Sequence, residues 1–457
     1  MSGRTNARRL SPEERVKSFE EIEKTLTPVQ ATIEASRCLM CEDPPCNKGC
    51  PAEIDIRAFI RKIRFHNPWG GIRVLREANI LSGVCGRVCP TEALCEERCR
   101  SQVLTEPINI GALQRYLIDL ERDQGARRMS SARKQQKRVA VVGAGPAGLA
   151  AANELALLGY PVTVFEATSQ HGGAMTGAIP AFKLPNDVVD AEVELIKNLG
   201  VELELNSPLS DELTIDDLFE QGYQAIFIAV GLQKPFALGI DGEDLDGIYT
   251  ALEVLSQANG LRPSRPVKIE KHVVIIGGGS VAMTVACSVV RMGAESTTVV
   301  CLEGPDEMPA FAEDVQLAWE EGVEFITRAR PLRFAGESNG HVATVEGVRI
   351  EWKEPGNFVP ENAINVEGSS FTIPCETVVV AIGQGPDENA IRQFRGLKTN
   401  VRGYLLVDEE TLMTSRPGVF AGGDILHNPL SRTVVQAVAY GKTAAHCIHQ
   451  YLYPSDQ

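Results

Sequence analysis

The sequence predicts an α/β chain: a helical N-terminal domain, then two parallel-sheet domains, one of them interrupted by the other. Three observations carry this. Eight of the twelve cysteines fall between Cys38 and Cys99, in a block whose apolar residues recur at helical spacing. Past about residue 135, short β-branched runs alternate with helical patterns, as in a parallel sheet covered by helices. A strand, a glycine-rich turn and a helix occur twice, at Arg138–Gly148 and at His272–Ala282. Length agrees: 457 residues, at roughly 150 per domain, make about three domains.

The helical block runs to about Gly125, with Phe59, Ile60 and Ile63, and later Leu113, Tyr116, Leu117 and Leu120, as its apolar stripes. Its first residues are polar, without an apolar signal region, and no uninterrupted apolar stretch reaches the ~18 residues of a membrane span. A cytoplasmic protein is expected, and there clustered cysteines bind metal more often than they pair. A net charge of −15 argues against non-specific nucleic-acid binding. The basic, polar stretch Arg127–Arg138 reads as a linker.

Val139–Val142 reads as a buried strand. Gly143, Gly145 and Gly148 follow in G-x-G-x-x-G spacing, through Pro146 and Ala147. The first glycine makes the turn, the second admits a pyrophosphate, and the third allows close helix–strand packing. The helix from Ala147 to Leu158 aims its N-terminus at the phosphates. The next strand, Val162–Phe165, ends at Glu166, placed to hold a ribose hydroxyl. Gly172-Gly173 follows. Far downstream, Gly418-Val-Phe-Ala-Gly-Gly-Asp424 resembles the FAD-binding segment of two-dinucleotide flavoproteins. Gly423 and Asp424 then belong to an FAD site, and the helix Val434–Ala445 points its N-terminus at the flavin, favouring negative charge there.

The second unit repeats the pattern. Val273–Ile276 is a strand; Gly277, Gly278, Gly279, Ser280, Val281 and Ala282 give G-x-G-x-x-A; and the strand Thr298–Leu302 ends at Glu303. A carboxylate there accepts from both ribose hydroxyls and repels a 2′-phosphate. No arginine lies between Met292 and Phe325 to pair with that phosphate. An NAD(H) site is expected.

The cysteines form Cys38-x2-Cys41-x4-Cys46-x3-Cys50-Pro51 and Cys85-x3-Cys89-Pro90-x4-Cys95-x3-Cys99. A run ending in Cys-Pro resembles ferredoxin ligation, in which one cysteine crosses to the other cluster. Zinc is the rival and plain buried thiols a third reading. The second group has no C-x2-C, and an adjacent flavin needs a one-electron outlet, so iron–sulfur is favoured.

Together these residues are similar to the glutamate synthase small-subunit family, including the dihydropyrimidine dehydrogenase small subunits. The likeness covers nearly the whole chain. It includes Glu34-Ala-Ser-Arg-Cys-Leu-Met-Cys41, Cys85-Gly-Arg-Val-Cys-Pro90, Pro107-Ile-Asn-Ile-Gly-Ala-Leu-Gln114, Ile179-Pro-Ala-Phe-Lys-Leu-Pro185 and Gly277-Gly-Gly-Ser-Val-Ala-Met283. The resemblance implies two 4Fe–4S clusters in the helical domain. Cys38, Cys41, Cys46 and Cys99 hold one; Cys50, Cys89, Cys95 and Gln114 hold the other, leaving Cys85 spare. Gly231, Thr433, Gln436 and Ala437 join the FAD site and Gly383 the NAD site.

The implied division is 1–134, helical iron–sulfur domain; 135–235, FAD-binding domain, first part; 236–382, Rossmann-like NAD(H)-binding domain; and 383–457, FAD-binding domain, second part. Members using NADPH carry paired arginines where this chain has Leu302-Glu303, which resembles NADH-linked members. Thr284 stands where many have Asp, and Thr176-Gly177 where Arg-Tyr is common. The implied activity is electron transfer between NADH and a catalytic partner subunit through FAD and the clusters. A stand-alone NADH oxidase or diaphorase, or a non-catalytic scaffold, are the alternatives. A thioredoxin-reductase chemistry is disfavoured, because the second unit has no C-x-x-C after its turn.

Overall fold

The computed structural model describes residues 3–125, 134–427 and 432–453. Most of the expected linker, at 126–133, lies outside the described residues.

The N-terminal domain is built on helices Pro28–Ser36, Ile56–Arg64, Pro68–Ala78, Ser82–Val88 and Ile110–Gln124. Each begins where its sequence permits. Thr27 and Asn67 cap helices that open on proline, and Asp55 accepts from the Ala58 N–H. Ile56, Phe59, Ile60 and Ile63 bury one stripe. The loops between these helices carry the cysteines.

Five parallel strands follow, in spatial order Val419–Ala421, Tyr223–Ile228, Arg138–Val142, Val162–Phe165 and Glu202–Glu204. The sheet is discontinuous as expected: Val419 pairs with Ile226 across the inserted domain. The C-terminal helix, Val434–Leu452, runs past the expected Ala445 because Ile448 and Leu452 continue its buried stripe. It lies on Pro146–Leu157, and a Cβ at Gly441 would stand 2.2 Å from the Ala147 carbonyl. Only glycine allows that approach.

The inserted domain has its own parallel sheet, ordered Ile248–Thr250, Thr377–Val380, His272–Ile276, Ser296–Val300 and Glu324–Ile326. The strand expected to reach Leu302 stops at Val300, because its pairing with Glu324–Ile326 ends there. A three-stranded antiparallel sheet, Ala329–Gly336, Val342–Trp352 and Ala363–Pro374, was not legible in the sequence. Its last strand buries no position fully, so it lacks a clean apolar alternation. The two chain crossings between the sheets pair with each other, Lys234–Pro235 against Gln384–Gly385.

One continuous hydrophobic core runs from Leu26 in the helical domain to Leu452 in the C-terminal helix, so these two domains fold against each other. The inserted domain keeps separate cores. The N-terminal segment straps the three together. Arg15 pairs with Glu320 of the inserted domain at 2.6 Å, the Ile22 N–H donates to the Phe182 carbonyl at 3.0 Å, and Glu21 pairs with Arg87 at 2.7 Å.

Candidate functional site

Both glycine-rich turns open on one cleft of about 1740 Å³. At the first turn each glycine has a distinct task. Gly143 has φ of 107°, and a Cβ there would meet the Ala229 carbonyl at 2.5 Å. A Cβ at Gly148 would stand 1.9 Å from the Gly143 carbonyl, so this glycine seats the helix on the strand. Nothing lies within 4 Å of where a Gly145 Cβ would be, which leaves the helix N-terminus open to a phosphate.

Glu166 is buried over this turn. Its carboxylate accepts from the Ala144 N–H at 2.9 Å and from the N–H and hydroxyl of Thr168, each at 2.9 Å. The Gly172 N–H donates to the Ala144 carbonyl at 2.9 Å. Gly173, with φ of 55°, closes on Gly145. Gly145, Pro146, Ala147, Glu166, Gly173, Gly231, Gly423, Asp424, Thr433 and Ala437 all line the cleft. Gln436 does not; its N–H donates to the Thr433 hydroxyl, which caps the C-terminal helix. Burial pushes the Asp424 carboxyl up, against the pull of Arg432.

The second turn repeats this design. Ser280, Val281 and Gly383 line the same cleft, as do Thr176, Gly177 and Thr284. Gly277 has φ of 137° and approaches the Ala381 carbonyl, Gly279 is open where a Cβ would be, and Ala282 is buried. A Cβ at Gly278 would lie 2.7 Å from Glu303 Oε2, so this carboxylate overhangs its turn as Glu166 overhangs the first. Burial pushes it up as well. One neighbour lies outside the interval Met292–Phe325: Arg328, beyond the sheet's last strand, packs beside Gly304 and pairs with Glu307. Lys183, within the Ile179–Pro185 motif, donates to the Thr284 hydroxyl at 3.0 Å and pairs with Asp314, joining the two dinucleotide domains.

The eight N-terminal cysteines fall into two groups. Cys38 has Cys99 and Cys41 as near neighbours, and Cys46 has Cys99 and Cys38, with Cys46 also close to Cys95. Cys50, Cys85, Cys89 and Cys95 form the second. Burial and neighbouring thiols push Cys46 up to about 12 and Cys95 well above the ordinary thiol range. A Cβ at Gly49 would stand 2.7 Å from the Leu94 carbonyl, so glycine lets the two cysteine loops meet. Among the described residues, no three Cys, His, Asp or Glu side chains converge as a single-ion site requires.

The second group lines a small pocket together with Gln114. Cys85, spare in the expected ligand set, shares that wall. Gln114 donates through Nε2 to the Ser82 carbonyl at 2.7 Å, which leaves Oε1 as the side chain's acceptor. The helix bearing Ser82 is held in turn by Glu192, which accepts from the N–H of Gly83 at 2.6 Å and of Val84 at 3.2 Å. Arg76 binds Glu192 at 2.7 Å and Glu121 at 2.8 Å. Glu192 was missed from the sequence, since it sits on a helix of the other domain, 109 residues from Gly83. Cys89, Thr91 and Gly111 line both the cleft and the pocket. At the start of the C-terminal helix, Val434 and Ala437 face the cleft while Val435 faces the pocket.

Comparison with known proteins agrees with this layout. Residues 15–126 match the family described as dihydropyrimidine dehydrogenase domain II, 4Fe–4S cluster, and residues 137–441 match the pyridine nucleotide-disulphide oxidoreductase family. The chain is 35% identical to the NAD-dependent dihydropyrimidine dehydrogenase subunit PreT of Escherichia coli, covering 95% of this chain and 97% of the relative. It is 34% identical to the NADPH glutamate synthase small chain of the same organism, covering 95% and 94%. It is 38% identical to the NADP(+)-dependent formate dehydrogenase subunit beta of Moorella thermoacetica, over 89% of this chain but 60% of that longer protein. Lactococcus lactis thioredoxin reductase shares the fold of the dinucleotide-binding part, with a TM-score of 0.54 at 22% identity over 69% of this chain and 99% of that one.

Proposed function

This chain belongs to the family of iron–sulfur and pyridine-nucleotide oxidoreductase subunits that includes PreT and the glutamate synthase small chain, and on that premise we propose that it passes electrons between NADH and a catalytic partner subunit. The observation that carries this is the shared wall. Cys89, Thr91 and Gly111 separate the dinucleotide cleft from the pocket of Cys50, Cys89, Cys95 and Gln114. The residues fit the groups the family implies. Gly145 and Gly279 leave their turns open to a diphosphate, two carboxylates stand where ribose hydroxyls bind, and eight thiols are gathered in two groups. FAD takes a hydride pair and releases single electrons to 4Fe–4S clusters, which is the chemistry these cofactors supply when bound.

The chain's own residues do the rest. Gly143, Gly145, Gly172, Gly173, Glu166, Gly423 and Asp424 would hold the flavin dinucleotide, with the N-terminus of Val434–Leu452 favouring negative charge on it. Gly277, Gly278, Gly279, Ser280 and Glu303 would hold NADH. Cys50, Cys89, Cys95 and Gln114 would hold the inner cluster, in the pocket that shares a wall with the cleft. Cys38, Cys41, Cys46 and Cys99 would hold the outer one. Glu303 supports NADH over NADPH, since its carboxylate repels a 2′-phosphate; Arg328 is already paired with Glu307. Protein purified anaerobically carries about one FAD and about eight irons, four per cluster. NADH bleaches the flavin faster than NADPH, and Glu303→Arg reverses that order. Zinc in place of iron, or an unchanged coenzyme order in the variant, contradicts the reading.

A further inference from the structure

Lys442 projects from the C-terminal helix into the cysteine-bearing domain. Its Nζ donates to the Ala52 carbonyl at 2.7 Å, and Ala52 follows Cys50-Pro51 directly. Lys442 stands seven positions, about two helical turns, after Val435, on the same helix face. Val435 itself lines the pocket of Cys50 and Gln114. One helix therefore presents its N-terminus to the flavin cleft and an ammonium to the loop of a cluster ligand. Lys442 itself is half-buried, and it stands close to Glu154, whose carboxyl burial pushes up and the ammonium draws down. Other buried charges near the cysteines are paired: Glu96, beside Cys95, with Arg4 at 2.6 Å, and Arg76 with Glu121 and Glu192.

Reducing a cluster adds one negative charge, and cluster potentials follow local charge and hydrogen bonding. A fixed cation beside the cluster stabilises the reduced form, most strongly where water is excluded. We propose that Lys442 is a positioning residue that anchors the Cys50 loop and raises the reduction potential of the inner cluster, favouring electron entry from the flavin side. This rests on the inner-cluster reading above and adds to it a residue that ligates nothing.

An EPR-monitored redox titration of the full chain tests it, after an iron count on the unmodified protein. Lys442→Gln keeps a donor for the Ala52 carbonyl and removes the charge; Lys442→Arg keeps both. The glutamine variant is expected to retain its iron and to lower the reduced-to-oxidised ratio of the inner cluster about tenfold at a given potential. That corresponds to about 59 mV for a one-electron couple. The outer cluster stays unshifted, and the arginine variant titrates as the unmodified protein does. A glutamine variant with full iron and an unmoved inner potential overturns the proposal. Loss of the inner cluster in the glutamine variant alone assigns Lys442 to loop anchoring and overturns the potential-setting role. An unmodified protein without iron refutes the cluster reading itself, and this proposal with it.

Discussion

Gly145 and Gly148 lie three residues apart in one turn and answer to different forces. Gly145 has open space where a side chain would project, while a Cβ at Gly148 would overlap the Gly143 carbonyl at 1.9 Å. Gly145→Ala is therefore expected to leave the thermal midpoint of the flavin-free protein unchanged and to lower FAD occupancy. Gly148→Ala is expected to destabilise the fold itself, by roughly 1–3 kcal/mol as overpacking does. Flavin absorbance per chain and a melting curve on each variant check this; equal loss of stability in both contradicts it. At this scale the sequence was readable, because what G-x-G-x-x-G demands is set by neighbours a few residues away. Glu166 and Glu303 were readable for the same reason, each lying just past the strand that follows its turn. Glu192, Arg328 and Lys442 were not. Their partners, Gly83, Gly304 and Ala52, are brought to them only by tertiary packing.

Two elements link the flavin cleft to the cysteine pocket. One is the C-terminal helix, wedged between them. The other is Ser82–Val88, whose N-terminal amides rest on Glu192 and whose Ser82 carbonyl orients Gln114. Removing Glu192 leaves Arg76 its bond to Glu121 but takes the acceptor from the buried Gly83 and Val84 amides, at a cost on the order of 1–3 kcal/mol each. Glu192→Ala should thus lower the melting midpoint and release the inner cluster first, because Gln114 loses its anchor. An iron count falling by about half, one four-iron cluster of two, with flavin retained, is the expected result. Intact iron in a stable variant contradicts it. The sequence predicted the C-terminal helix, but only to Ala445, and showed no separate sign of Ser82–Val88 or of the antiparallel sheet at 329–374. Helix existence follows from local periodicity; its last turns, and a sheet whose last strand buries no position fully, are decided by what packs against them.

The molecule divides in an order the chain does not spell out. The cysteine-bearing domain and the flavin sheet share one core, while the inserted domain keeps its own. It is attached through the ribbon of Lys234–Pro235 and Gln384–Gly385, the N-terminal strap and the Lys183 contacts. On the proposed reading, flavin and inner cluster would belong to one body and the nucleotide to another, which would fix the distance single electrons cross and leave the hydride donor on the inserted domain. The interruption was legible because Gly-Gly-Asp424 needed the first sheet as its home. The shared core was not, since apolar residues in helices and strands do not announce which element they meet.

On the proposed route, electrons from NADH cross the wall formed by Cys89, Thr91 and Gly111. Mixing the anaerobic, oxidised protein with NADH and freezing samples over time follows that crossing. Flavin bleaching followed by the EPR signal of a reduced iron–sulfur cluster, with no partner protein present, is the result predicted. Flavin that bleaches completely while every cluster stays oxidised, at NADH concentrations that keep the flavin reduced, would contradict it.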